Sequence, residues 1–186
     1  MSSGHLFVIS GSSGVGKSTV LKQVLKRMPQ LQFSVSATSR PPREGETDGV
    51  QYFFVTREAF QQMITQGAFV EYDFHMDNYY GTLKSEIHNK TAKGNMILDI
   101  EPVGALHVKE IYPNATLIYI APPSLEVLME RLRGRNDTPE DQIKIRSERA
   151  EWESAQQEKY DYVVINDDLE ACIQEVMDII CKSTQE

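Results

Sequence analysis

Apolar and polar positions along this chain fall into blocks whose period changes from segment to segment. His5-Leu6-Phe7-Val8-Ile9-Ser10 is a short, mostly apolar run of the kind that suits a strand buried on both faces of a parallel sheet. After a glycine-rich turn, Val20, Leu21, Val24 and Leu25 recur at helical spacing, Lys22, Gln23, Lys26 and Arg27 take the other side, and Pro29 closes the segment. The same reading predicts buried-type strands at Met96-Ile97-Leu98-Asp99-Ile100-Glu101, Thr116-Leu117-Ile118-Tyr119-Ile120 and Tyr162-Val163-Val164-Ile165. Helices are predicted over 83–92 and from Leu125 through Leu132. A last one over 169–180 carries Leu169, Cys172, Ile173, Val176, Met177 and Ile180 as one apolar stripe. Strands alternating with helices predict an α/β fold, a parallel sheet flanked by helices.

Two stretches break this rhythm. Phe33-Ser34-Val35-Ser36 reads as a short strand, and the loop over 37–49 is kept irregular by Pro41, Pro42, Gly45 and Gly49. Next come a strand at Gln51-Tyr52-Phe53-Phe54-Val55, a helix from Arg57 to Gln66 ended at Gly67, a strand over 68–74, and Asn78-Tyr79-Tyr80-Gly81-Thr82 as a tyrosine-bearing turn. Together they predict a small inserted mixed α/β lobe over 36–82. Glu71 is its odd member, a carboxylate in apolar and aromatic company. The second stretch, 124–156, has a narrow apolar face at Leu125, Leu128 and Leu132, then many charges and few large apolar groups. Arg131, Arg133, Arg135, Arg146 and Arg149 gather in it, and a segment with little to bury is weakly held, so a movable helical lid is expected. The core is then 1–35, 83–123 and 157–186 of a single domain over 1–186.

Composition narrows the classes without choosing among them. A chain of 186 residues suits one substantial core, and 40% hydrophobic with 25% charged residues is ordinary for a globular protein. No run approaches the roughly eighteen apolar residues of a membrane span, and Met1-Ser2-Ser3-Gly4-His5 lacks the regions of a signal peptide, so a soluble cytoplasmic protein without a membrane partner is expected. A formal charge of −8 argues against a nucleic-acid polymer as partner, which would need a broad basic surface. Cys172 and Cys181 fall on opposite sides of one predicted helix and cannot pair there; both read as reduced and structural.

The chemistry enters at Gly11-Ser12-Ser13-Gly14-Val15-Gly16-Lys17-Ser18-Thr19, which fits the phosphate-binding pattern G-x-x-x-x-G-K-[ST] between a predicted strand and a predicted helix. Its glycines let the backbone turn N–H groups inward around a phosphate, Lys17 would reach the β- and γ-phosphates, and the Ser18 hydroxyl would sit on Mg²⁺. A plain strand-to-helix turn needs no lysine followed by two hydroxyls. Asp99, at the end of a strand beside this loop, is placed to act on Mg²⁺ or its waters. A GTPase is disfavoured because the nearest approach to N-K-x-D is Asn89-Lys90-Thr91-Ala92. A kinase of a small acceptor needs a second anion site, an acceptor-reading lobe and a water-excluding lid, and all three have candidates here.

Ser34-Val35-Ser36-Ala37-Thr38-Ser39-Arg40-Pro41-Pro42-Arg43-Glu44-Gly45-Glu46, together with Asn78-Tyr79-Tyr80-Gly81-Thr82 and Asn166-Asp167-Asp168, closely resembles the bacterial-type guanylate kinases, over about residues 4–180. The resemblance implies transfer of the γ-phosphoryl of Mg·ATP to GMP, and to dGMP, as a step of purine nucleotide metabolism, by a monomer or homodimer. It implies that Arg40, Arg43, Tyr52 and Tyr80 hold the GMP phosphate, that Ser36, Glu71 and Thr82 read guanine, and that Glu46, Gly81, Asp99 and Glu101 complete the GMP site. Arg135 and Arg146 would come onto the transferring phosphoryl group, with Arg131 near the ATP phosphates and Asn166 and Asp167 by adenine. Lys17, Arg43, Arg135 and Arg146 are the catalytic set. One stretch departs from the pattern: Asp99-Ile100-Glu101-Pro102-Val103-Gly104 stands where Asp-Ile-Asp or Asp-Val-Asp followed by x-Gln-Gly is usual, and Ser12 stands where proline is common. The alternatives are a non-catalytic interaction domain of the same fold and a kinase of another nucleoside monophosphate.

Overall fold

The computed structural model describes residues 4–75, 77–133 and 152–184. Five strands form the main sheet: β1 (Leu6–Gly11), β2 (Gln32–Phe33), β7 (Met96–Asp99), β8 (Thr116–Ala121) and β9 (Tyr162–Ile165), in the order β2-β7-β1-β8-β9 and all parallel. β1 lies at the centre, with Val8 opposite Leu98 on one side and Leu117 on the other, and every residue of β1 is buried.

Alternation along the strands builds two cores. Phe7, Ile9, Ile97 and Ile118 pack against Val20 and Val24 of α1 (Lys17–Arg27) and against Ile173 and Val176 of α6 (Leu169–Ser183). Leu6, Val8, Leu98 and Leu117 face the other way, onto Ile87 of α3 (Lys84–Thr91) and onto Ala105 and Val108 of α4 (Pro102–Ile111). Each large aliphatic side chain taken out of water in this way contributes about 1.5–3 kcal/mol. The apolar stripe expected in the last helix lies in the first core. Cys172 is buried there while Cys181 is exposed, so the two thiols face opposite surroundings as expected, and burial pushes the Cys172 thiol up to about 11.

The smaller sheet runs β4-β3-β6-β5, formed by β3 (Ala37–Thr38), β4 (Phe53–Phe54), β5 (Phe69–His75) and β6 (Asn78–Leu83). Phe60 of α2 (Arg57–Thr65) is fully buried beneath it, stacked on Phe69 at 4.3 Å and on Tyr79 at 5.2 Å. Residues 34–36 cross from the main sheet to this one. Glu86 pins the crossing by accepting the Val35 N–H at 3.1 Å, while its ion pair with Lys90, at 2.7 Å, brings that ammonium to donate to the Phe33 carbonyl.

Three elements differ from expectation. The strand expected over 33–36 ends at Phe33, since beyond it the chain leaves one sheet for the other. Residues 78–82 are strand rather than turn: Tyr79 packs on Phe60, whereas Tyr80 lines the cleft, so two adjacent tyrosines hide an ordinary alternation. α4 is a helix the sequence reading did not place. Pro102 occupies the first helical position, where its missing N–H and fixed φ do no harm. α5 (Leu125–Arg133) agrees with the predicted helix, and the expected lid otherwise lies largely outside the described residues. No helix among the described residues is long and apolar enough to cross a membrane.

Candidate active site

The carboxyl ends of β1 and β7 open onto a cleft of about 880 Å³ whose opposite wall is the cleft face of the smaller sheet. At its floor the chain leaves β1 at Gly11, turns, and enters α1 at Lys17. Gly14 and Gly16 adopt φ of 89° and 97°, a left-handed backbone that side chains resist, and a Cβ on Gly16 would stand 2.7 Å from the Asn166 amide nitrogen. Gly11, Ser12, Ser13, Gly14, Gly16, Lys17, Ser18 and Thr19 line the cleft, while Val15 turns its side chain into the core. A loop of this kind at a helix N-terminus can offer backbone N–H groups and the helix dipole to an anion. Lys17 Nζ sits 2.7 Å from Asp99 Oδ1, both side chains largely shielded from solvent.

Asn166 and Arg131 brace the loop from behind. Asn166, buried at the end of β9, donates from its side-chain amide to the Val15 carbonyl at 2.7 Å. Arg131 of α5 donates to the same carbonyl at 3.4 Å and to the Asn166 carbonyl at 3.0 Å. Both residues, expected beside ATP, here set the shape of the loop that would receive it. Asp167, next along, is exposed.

On the opposite wall a β-bulge aims the central carboxylate. Phe69 pairs with Leu83 but Glu71 with Thr82, so Val70 is an extra residue in β5. Phe69 therefore fills the lobe core, Val70 joins the core of the main sheet, and Glu71 meets Thr82 on the cleft side. In an unbulged strand Glu71, two positions on, would share the face of Phe69. Gly81 permits the close approach at this point, since a Cβ there would lie 2.9 Å from the Glu71 backbone oxygen and from the Phe69 ring. The Thr82 hydroxyl donates to Glu71 Oε1 at 2.6 Å. Burial raises the Glu71 carboxyl above the ordinary range, and the Thr82 hydrogen bond only partly opposes it. A Cβ on Gly104 of α4 would come within 2.9 Å of Glu71 Oε2, so the carboxylate occupies space that only glycine leaves free.

The loop after β3 supplies cations to the same wall. Arg40 lies over the rings of Tyr52, at 5.5 Å, and Phe54, at 5.6 Å, and donates to Glu46 Oε1 at 2.8 Å. Glu46 Oε2 accepts the Arg43 N–H at 2.7 Å. The Arg40 hydrogen bond is the main reason that the Glu46 carboxyl lies below its usual range. Tyr52 and Tyr80 meet edge to face at 6.0 Å and line the cleft with Ser36. Glu46 thus orients Arg40 and shapes the Arg43 turn. Arg43 itself is exposed on that loop, and Glu101, the residue just before α4, lines the cleft. Arg135 and Arg146 lie outside the described residues.

Several cleft residues stand outside the expected site set, among them Tyr72, Asp73, Phe74 and His75 of β5. Val103, Gly104 and His107 come from α4 and went unseen with that helix; Trp152, the lone tryptophan, sits in a charged stretch where a single large aromatic was the available signal.

The sequence model described as guanylate kinase matches residues 3–183. A guanylate kinase of Chlorobium luteolum is 44% identical over 176 residues, covering 94% of this chain and 89% of its own. One of Thermotoga maritima is 42% identical over 178 residues, covering 95% and 86%. Among solved structures, the guanylate kinase from Anaplasma phagocytophilum superposes with a TM-score of 0.76 at 28% identity, over 100% of this chain and 88% of that one.

Proposed function

This chain belongs to the guanylate kinase family, and from that premise we propose how its cleft moves the γ-phosphoryl group of ATP to GMP, giving ADP and GDP. The observation that carries the reading is that a phosphate loop and a carboxylate-bearing wall line one cleft. The loop N–H groups and Lys17 hold the β- and γ-phosphates of ATP. Arg40, Arg43, Tyr52 and Tyr80 take the GMP phosphate, and Ser36, Glu71 and Thr82 read guanine. Guanine presents N1–H and an exocyclic amine side by side, and one carboxylate accepts both. Adenine has no such donor pair, so it would leave the buried Glu71 unmatched, a difference able to supply discrimination of about 10⁴-fold.

Little acid–base machinery is required, because the attacking oxygen of GMP is a phosphate oxygen already ionised at neutral pH. Catalysis is then positioning and charge stabilisation. Arg135 and Arg146 would complete the charge balance on the transferring group. The side chains also suit Mg²⁺: Ser18 opens α1 beside Lys17, and the Asp99 carboxylate ends β7 within 2.7 Å of the Lys17 ammonium, both hard oxygen donors where the phosphates would lie. When bound, Mg²⁺ neutralises phosphate charge. Asp99 and Ser18 are the residues that would hold it, Asp99 through water.

The test is ADP release from Mg·ATP by purified protein with GMP, dGMP, AMP, CMP or UMP in parallel. Rapid release with GMP and dGMP and little with the others is expected; equal release with AMP would remove Glu71 from its role. Two further results are expected of the same site. Because burial raises the Glu71 carboxyl, the KM for GMP should climb as pH falls, beginning above the range of an ordinary carboxylate. Glu71→Gln, which keeps the titrating phosphate of GMP but lacks this carboxyl, should show a flatter profile, and matching profiles would contradict the assignment. Gly104→Ala should displace Glu71 and raise the KM for GMP about tenfold while that for ATP stays put. Measuring both KM values checks it, and an unchanged GMP value would mean that the wall yields without cost.

A further inference from the structure

Behind the phosphate loop lies a buried pair of hydroxyls that the reaction above does not use. Ser12, between the cleft-lining Gly11 and Ser13, is 1% exposed, and its Oγ lies 2.9 Å from the hydroxyl of Tyr119. Tyr119 is fully buried on β8, the strand paired with β1. Ser154 stands near the Tyr119 hydroxyl, and the Tyr119 ring meets that of Tyr160 edge to face at 5.2 Å. Ser154 stands two residues beyond Trp152, which lines the cleft together with Lys17.

We propose that Tyr119 is a positioning residue for the phosphate loop, holding it through Ser12 from the buried face of β8. The proposal rests on the reading of the loop as the ATP site. Either hydroxyl of the Ser12–Tyr119 pair can donate, and a hydrogen bond at this depth is held where no water competes. Burial raises the Tyr119 phenol, which keeps the proton in place throughout the neutral range. Nothing else holds the Ser12 side chain at that depth among the hydrogen bonds of the described residues, so its loop position follows the phenol. Loop N–H groups are useful to a phosphate only when they are already aimed, and an anchor that aims them acts on ATP before it acts on GMP.

The test compares the parent with Tyr119→Phe, Ser12→Ala and the double variant, varying Mg·ATP and GMP separately. Thermal unfolding and Trp152 emission during Mg·ADP titration are followed alongside. Each single variant is expected to raise the KM for Mg·ATP about tenfold, the size of one lost coupled hydrogen bond. The KM for GMP should stay within about twofold, and the concentration of Mg·ADP that half-changes Trp152 emission should rise in step. The double variant should be no worse than Tyr119→Phe, because both remove the same link. A lowered melting temperature with both KM values unchanged would overturn the proposal, as would additive losses in the double variant or equal rises in both KM values. Should Tyr119→Phe fail to fold, Ser12→Ala alone decides: an unchanged KM for Mg·ATP overturns it. A parent that does not phosphorylate GMP would count against the functional reading, whereas an active parent with indifferent variants counts against the anchor alone.

Discussion

Replacing Lys17 by Ala should lower kcat by roughly 10³-fold or more, with the melting temperature little changed. Lys17 is the one ammonium at the mouth of the phosphate loop among the described cleft-lining residues, and it emerges from the first turn of α1 toward the place where negative charge would be added. Its partner here is Asp99, 2.7 Å away, so two roles must be separated: neutralising Asp99, or meeting phosphate. If the first were the whole role, removing both charges would restore turnover. Lys17→Ala combined with Asp99→Asn should instead stay as slow as Lys17→Ala or become slower, because the charge missing from the transferring group is still missing. A coupled ADP assay with melting curves on all three proteins measures this. Recovery in the double variant would reassign Lys17 to a structural ion pair.

The second large effect falls on selectivity. Glu71→Gln should cost roughly 10²-fold or more in kcat/KM for GMP and narrow the ratio of GMP to AMP, because the amide opposes one of guanine's two donors with a donor of its own. Stability should move the other way. A carboxyl raised by burial favours the folded state in its protonated form, so ionisation of Glu71 costs stability that returns as pH falls through the folded value. Glu71→Gln should therefore melt at or above the parent temperature at about pH 7.5, with the gap shrinking in acid. Unchanged selectivity for GMP over AMP would move guanine reading to another group, whatever the melting curves do.

The main sheet could be read from the sequence because its strands are buried on both faces and announce themselves as apolar runs, as at Phe7-Val8-Ile9 and Leu117-Ile118-Tyr119. The phosphate loop was legible for a different reason, since backbone geometry there demands glycine at fixed intervals. Glu71 drew notice by its company but not by its direction: a bulge at Val70 is a matter of pairing between strands and leaves no mark on β5 alone. The helix bearing Gly104 and His107 was hidden by residues that usually break helices and here sit at its tolerant end. Braces such as Arg131 and Asn166 were drawn to the nucleotide by motif, and only the folded chain reveals that they grip the Val15 carbonyl first.

That grip has a consequence for the order in which the protein matures. The Val15 carbonyl is held by an amide 151 positions later in the chain, and Gly16 leaves the space in which that amide sits. During synthesis the loop sequence leaves the ribosome first, yet the contact that sets its shape must wait until β9 has joined the edge of the sheet. A nascent chain stopped short of residue 166 would hold every residue of the phosphate motif and still lack its brace. Nucleotide capture on stalled chains of increasing length should consequently switch on late and abruptly, near the last strand, instead of growing with each element added.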